Sequence, residues 1–194
     1  MPNTVIALVG MAGAGKTEVA EEFKKIGYGY VRLGQITLDE VKNRGLEPSE
    51  KNERPIREEF RKKHGMGAFA TLNFPKIDEG LKIGNVIVDG LYSWSEYKEF
   101  KNKYKDGFKV IAVYASPKTR YNRLENRAAK HGDDPEMIFR SFGCEEAKAR
   151  DHAEIENIEK GGPIAMSDYT IVNEGTLDEL RQKTKEIIKK INES

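Results

Sequence analysis

The eight residues Gly10-Met11-Ala12-Gly13-Ala14-Gly15-Lys16-Thr17 constrain this chain more than any other stretch. They follow a short apolar run, Thr4 to Val9, and precede a segment in which Val19, Ala20, Phe23 and Ile26 recur at helical spacing. A run of Val, Ile, Ala and Leu without polar alternation is the pattern of a strand buried on both faces. Glycine reaches backbone conformations closed to other residues, so successive amide N–H groups can turn toward one anion. The helix beginning near Lys16 adds its positive N-terminal end. The order satisfies G-x-x-x-x-G-K-[ST] in full, with the strand before it and the helix after it that the pattern requires. It implies a site for the phosphates of ATP or GTP. The loop backbone at Gly10, Ala12, Gly13, Ala14 and Gly15 would cradle them, and Lys16 would face the β- and γ-phosphates. Thr17 offers a hydroxyl to Mg²⁺, which takes oxygen ligands and keeps several waters.

Four more apolar runs follow: Tyr30 to Leu33, Asn85 to Val88, Phe108 to Ala115 and Tyr169 to Val172. Helical patterns lie between them. Pro55 to Lys63 has Pro placed for a first turn, with Ile56 and Phe60 four apart. Ser95 to Tyr104, Pro117 to Ala129 and a C-terminal stretch with Leu177, Leu180, Ile187, Ile188 and Ile191 on one face complete the set. Thr176 and Glu179 are spaced for a capping box at the start of the last helix. Strand alternating with helix predicts an α/β fold: a five-stranded parallel sheet with helices on both faces, in three layers. Asn43 to Lys63 and Lys130 to Ala165 are too polar for that core and read as helical excursions from it.

Composition narrows the partners. The chain has 194 residues, 38% hydrophobic and 34% charged, enough for one domain with a core and a charged surface. A net charge of +1 gives no global field for nucleic acid. No apolar stretch approaches the roughly 20 residues that span a bilayer, so no membrane is expected. The single cysteine, Cys144, cannot form an intramolecular disulfide, which fits a reducing, cytoplasmic setting. His64, His131 and His152 have no metal-ligand spacing.

Candidate chemistry outside the loop rests on charge. Asp89 ends Val86-Ile87-Val88, which puts a carboxylate at the C-terminal end of a buried strand, where ligands bind in open α/β sheets. There it can bind Mg²⁺ or act as a base. Arg54, Arg57 and Arg61 are spaced to share a helix face, and so are Arg120, Arg123 and Arg127, with Arg140 and Arg150 later. Arginine forks neutralise phosphate charge well.

These residues together resemble the nucleoside monophosphate kinase group, which includes adenylate, cytidylate and dephospho-coenzyme A kinases. The nearest likeness is to an adenylate-kinase-related, dephospho-coenzyme-A-kinase-like branch, carried by Arg57 to Gly65, Asp89-Gly90, Arg123 to Arg127, Arg150-Asp151 with Glu154, and Asp168 to Gly175. The resemblance covers nearly the whole chain. It implies a P-loop kinase core (1–34, 81–127 and 164–194), a monophosphate-binding arm over 35–80 and a helical lid over 128–163. It also implies that Arg123, Arg127 and Arg150 touch donor or transferring phosphates, that Asn173 lies near the donor base, and that Gly34, Arg54, Arg57 and Arg61 hold the acceptor. Two departures fall on the acceptor side. Gln35 and Leu38 stand where such kinases often carry an acid and an arginine, and Tyr92 stands where the branch often has arginine.

The activity expected is transfer of the γ-phosphoryl of ATP to a nucleoside monophosphate on a monomer or homodimer. A phosphorylated acceptor needs arginines, whereas an alcohol acceptor, dephospho-coenzyme A for instance, needs a base such as Asp39 or Asp89. A nucleotide switch or slow NTPase acting on a partner is the alternative of a different class. A nucleic-acid-dependent ATPase is disfavoured by the near-neutral charge.

Overall fold

The computed structural model describes residues 3–126 and 144–193. Five strands form one parallel sheet: β1 (Val5–Val9), β2 (Gly29–Arg32), β3 (Val86–Asp89), β4 (Phe108–Tyr114) and β5 (Tyr169–Val172), in the order β2-β3-β1-β4-β5. All five coincide with the apolar runs of the sequence. β1 is central because every one of its side chains is buried. Val5, Ala7 and Val9 face one layer and Ile6 and Leu8 the other. That is why the strand reads as continuously apolar.

Two cores result. On one face Ile6, Leu8, Ile87, Ile111 and Val113 pack against α1 (Lys16–Lys25) through Val19, Ala20 and Phe23. The C-terminal helix α10 (Leu177–Glu193) joins them through Leu180, Ile187 and Ile188. The expected capping box at its start is present: Glu179 N–H donates to Thr176 Oγ1 and Thr176 N–H to Glu179 Oε2, both 3.2 Å. On the other face Phe69, Phe100 and Phe108 are buried with the sheet. Burial of each such ring is worth about 2–3 kcal/mol. Phe100 lies on α6 (Trp94–Tyr104), and α7 (Pro117–Glu125) follows β4.

The excursion between β2 and β3 differs from expectation in two ways. It holds α2 (Gln35–Asn43), α3 (Glu50–His64), α4 (Ala68–Thr71) and α5 (Phe74–Leu81). Pro55 does not open α3. The helix starts at Glu50, where Ser49 Oγ accepts from Asn52 N–H at 3.4 Å, and Pro55 sits inside it. Burial of Ile56 offsets the one backbone bond that Pro removes. Nor does the whole of 35–80 stand away from the sheet as an arm. Ala68, Phe69, Ala70 and Ile77 belong to the core, because this stretch is apolar enough to cover the sheet's second face.

The second excursion is described from Cys144 onward. It contains α8 (Cys144–Ile158) and the short α9 (Gly161–Ala165), whose Gly162 lies against Trp94 of α6. The rest of the expected lid, with Arg127, His131 and Arg140, lies outside the described residues.

Candidate active site

The loop after β1 is shaped by three glycines in the left-handed region: Gly10 (φ 147), Gly13 (φ 79) and Gly15 (φ 105). Space forbids side chains as firmly as conformation does. A Cβ on Gly10 would lie 2.2 Å from the Val113 carbonyl oxygen, and one on Gly13 would lie 2.8 Å from that of Arg120. Two side chains brace the loop from outside. Asn173, just after β5, donates from Nδ2 to the Ala14 carbonyl at 2.8 Å. Arg120 donates to the Ala12 carbonyl at 3.1 Å and is locked by a buried bidentate pair with Asp151 of α8. Arg120 is thus committed to holding the loop and α8 together.

Lys16 opens α1, and its Nζ donates to the carbonyls of Gly10 (2.8 Å) and Met11 (3.3 Å). Burial lowers its pKa to about 8; the Lys160 charge pushes the same way, while Asp89 and Glu154 pull it back. Asp89 pairs with Leu8 across the sheet, which sets it beside the loop. It is buried and accepts from the Tyr30 hydroxyl at 3.2 Å. Thr17 lies in the first turn of α1. A hydroxyl and a carboxylate beside a phosphate loop are hard oxygen donors, which suit Mg²⁺. Among the described residues no cluster of three or more His, Cys, Asp or Glu could hold a metal by itself.

Arg150 and Glu154 of α8 and Lys160 after it lie close enough to Lys16 to shift its pKa, and Arg123 of α7 reaches the Asn173 that braces the loop. Arg123 donates to Asn173 Oδ1 at 3.4 Å, and burial lowers its pKa. Arg150 donates to Glu154 Oε1 at 3.0 Å, and Lys160 holds Glu154 Oε2 at 2.5 Å. Burial alone would raise the Glu154 pKa; Lys160 and Arg150 outweigh it and hold the group at about 2.

The residues that the resemblance assigns to an acceptor divide. Arg57 pairs with buried Glu53 at 3.4 Å, and Arg61 stacks over the Phe69 ring at 5.2 Å. Arg54, nearly two turns or about 10 Å before Arg61 along α3, is 72% exposed and pairs with Glu58. Gly34 precedes α2 and lies next to the Tyr92 hydroxyl. Tyr92 is not an inert replacement: its ring carries the Lys160 ammonium at 5.0 Å. Glu96 is fully buried. Its Oε2 accepts from the Tyr92 and Ser93 amides at 2.8 and 3.2 Å, and its Oε1 has no partner.

Three of these groups escaped sequence reasoning. Glu96 had a legible signal, since Ser93 and Glu96 form a capping box. Arg120 and Asp151 each stand out in the sequence but not as a pair, and Lys160 had no signal. They meet only because α8 folds back over the loop.

The loop, the strand order and the cluster of charge at the strand ends define a nucleotide-binding P-loop domain of kinase-like fold. The model of a family described as an AAA domain matches residues 6–145. A shikimate kinase from Bacteroides thetaiotaomicron shares the fold at 17% identity and a TM-score of 0.58, with 96% of this chain and 98% of that one covered. A gluconokinase from Sinorhizobium meliloti does so at 12% identity and 0.57, with 99% and 94% covered. A UPF0200 protein of Pyrococcus abyssi is 34% identical over 189 residues, 96% of each chain. A UPF0200/UPF0201 protein of Archaeoglobus fulgidus is 35% identical over 188 residues, which are 96% of this chain and 55% of that protein. This chain belongs to the AAA-domain family and to the UPF0200 proteins. Among the described residues no helix is long and apolar enough to cross a membrane.

Proposed function

We propose that the chain is an ATP-dependent kinase that moves a γ-phosphoryl group to a small phosphorylated acceptor, a nucleoside monophosphate first among them. The observation that carries this reading is the braced loop with its concentration of charge: Lys16, Lys160 and Arg150 beside Asp89 and Glu154. In this reading the amides of Gly10 to Gly15 cradle the donor phosphates and Lys16 faces the β- and γ-phosphates. Thr17 and Asp89 hold Mg²⁺, which when bound offsets charge on the phosphate oxygens. Arg123, Arg150 and Arg127 neutralise the group in transfer, and Asn173 lines the donor side. Gly34, Arg57 and Arg61 receive the acceptor; Arg54 is the weakest member of that set because its side chain faces solvent. Catalysis of this kind is mainly positioning and electrostatics.

Two alternatives each have an observation behind them. Asp89, buried beside the loop and hydrogen-bonded by Tyr30, is a carboxylate placed to accept a proton from an alcohol such as dephospho-coenzyme A. The Archaeoglobus fulgidus relative carries further sequence beside the region it shares with this chain, an arrangement that a nucleotide switch acting on a partner could use.

Calorimetry with Mg²⁺ across ATP, GTP and the common monophosphates, followed by a transfer assay on the same panel, tests all three. One triphosphate and one monophosphate should bind, and diphosphates should appear. Failure of both ATP and GTP to bind would sink the proposal. Triphosphate binding without transfer would move the weight first to an alcohol acceptor and then to the switch.

A further inference from the structure

Lys160 is the second lysine at this centre, and no sequence pattern marks it. It is 1% exposed. A buried ammonium is costly unless it is paired, and two groups hold this one: Glu154 Oε2 at 2.5 Å and the face of Tyr92, 5.0 Å from the ring centre. The backbone is bent to bring it in. After α8 the chain reverses through Glu159, a non-glycine residue at φ +54, and the Lys160 N–H donates to the Glu154 carbonyl at 3.2 Å. A left-handed residue is a common way to end a helix, and here that ending carries Lys160 back onto Glu154.

A purely structural role accounts poorly for the arrangement. A buried ion pair is weak support for stability, and Glu154 already has Arg150 as a partner. Lys160 also lowers the pKa of Lys16, so the fold sets two like charges against each other. Gathering cations this way is unfavourable for the protein alone and favourable for binding an anion. The position is specific as well. Lys16 stands at the donor loop, and Tyr92, under Lys160, touches the Gly90 and Gly34 positions where the acceptor side begins.

We propose that Lys160 is a catalytic residue that contacts the phosphoryl group in transfer from the side opposite the loop. This rests on the reading of the site as a phosphoryl-transfer centre. As the acceptor oxygen forms its bond to the γ-phosphorus, the bond to the β,γ-bridging oxygen breaks and ADP leaves with that electron pair. Lys160 keeps its proton throughout and supplies charge to an equatorial oxygen.

The test compares binding of Mg·ADP with binding of Mg·ADP plus fluoroaluminate, a planar mimic of the group in flight. Lys160→Met should bind Mg·ADP within about twofold of the parent and the fluoroaluminate complex about 100-fold or more weakly, near the loss seen when a single charge-stabilising donor is removed. Lys160→Arg should recover most of that difference. If Lys160→Met does not fold, Lys160→Gln, which keeps a hydrogen bond to Glu154, carries the same comparison. Equal loss for both ligands, or a lower melting temperature with an unchanged ratio, overturns the role of Lys160 alone. A parent protein that forms no fluoroaluminate complex takes the phosphoryl-transfer reading down with it.

Discussion

The loop after β1 and the region around α2, α3 and the turn after β3, proposed above as the donor and acceptor sides, are built from different material. The loop from Gly10 to Thr17 is a backbone structure, fixed by three left-handed glycines and by side chains that grip its carbonyls from behind. The proposed acceptor side is made of side chains on α2, α3, the turn after β3 and the start of α6, and its polar groups are incompletely matched. Four buried side-chain polar atoms among the described residues lack a partner: Thr37 Oγ1, Arg61 Nε, Glu96 Oε1 and Arg123 Nη1. The first three belong to the acceptor side. Each costs about 1–3 kcal/mol against a satisfied group. A backbone site is rigid and nearly sequence-invariant in its demands. A side-chain site keeps unspent hydrogen-bonding capacity, and there a change such as Tyr92 can redirect specificity without harming the fold.

The sharpest way to break that contrast is one methyl group on each side. In Gly10→Ala the Cβ would meet the Val113 carbonyl at 2.2 Å, and the strained φ is added to the clash. The expected cost is about 4 kcal/mol, or roughly 10 °C in melting temperature for a chain of this size. Gly34→Ala meets only the Tyr92 hydroxyl at 3.6 Å and should cost under about 1 kcal/mol. Similar melting temperatures for the two variants would show that the loop is not specially constrained.

Function divides the sides next. Lys16→Ala should leave the melting temperature near that of the parent and weaken triphosphate binding about 100-fold, the loss of two charge-assisted contacts. Undiminished ATP and GTP binding in calorimetry would remove the basis for the donor assignment.

How much of this was readable in advance follows the same line. The loop announced itself because its chemistry is local: strand, glycines, lysine and helix are consecutive. The five strands were legible for the same reason, each a run long enough to be buried on both faces. The place of Asp89 at a strand end was legible because it ends such a run. α4 and α5 were missed because Phe69, Phe74 and Ile77 lie in short helices without a long period. The Arg120–Asp151 pair joins residues 31 apart and depends on how α8 docks. Spacing placed Arg54, Arg57 and Arg61 on one stripe, but their depth differs, because only a neighbour such as Phe69 buries a side chain.

That difference in depth makes a third test. Arg57→Ala should weaken the acceptor about tenfold, some 1.4 kcal/mol, and change ATP affinity little. Arg54→Ala should change both less than about twofold, because exposed pairs are worth little. Equal loss of donor and acceptor binding in Arg57→Ala would mean that α3 does not face the acceptor.

The smallest effect comes from Glu96. Burial raises its pKa from 4.5 to about 7, against the opposing pull of the Tyr92 amide, the Arg61 charge and the Ser93 amide. The folded chain therefore binds this proton more tightly than the unfolded chain does. Stability from Glu96 is fully present below pH 4.5 and is lost as pH rises through 7, at about 1 kcal/mol between pH 6 and 7. Glu96→Gln keeps an acceptor for the two amides and removes the titration. Denaturant unfolding of parent and variant at pH 5, 6 and 7 isolates the difference, since the two chains differ only at this group. The parent should lose stability relative to Glu96→Gln as pH rises. Parallel curves would mean that Glu96 is solvated, and the acceptor side would then be as well matched as the loop.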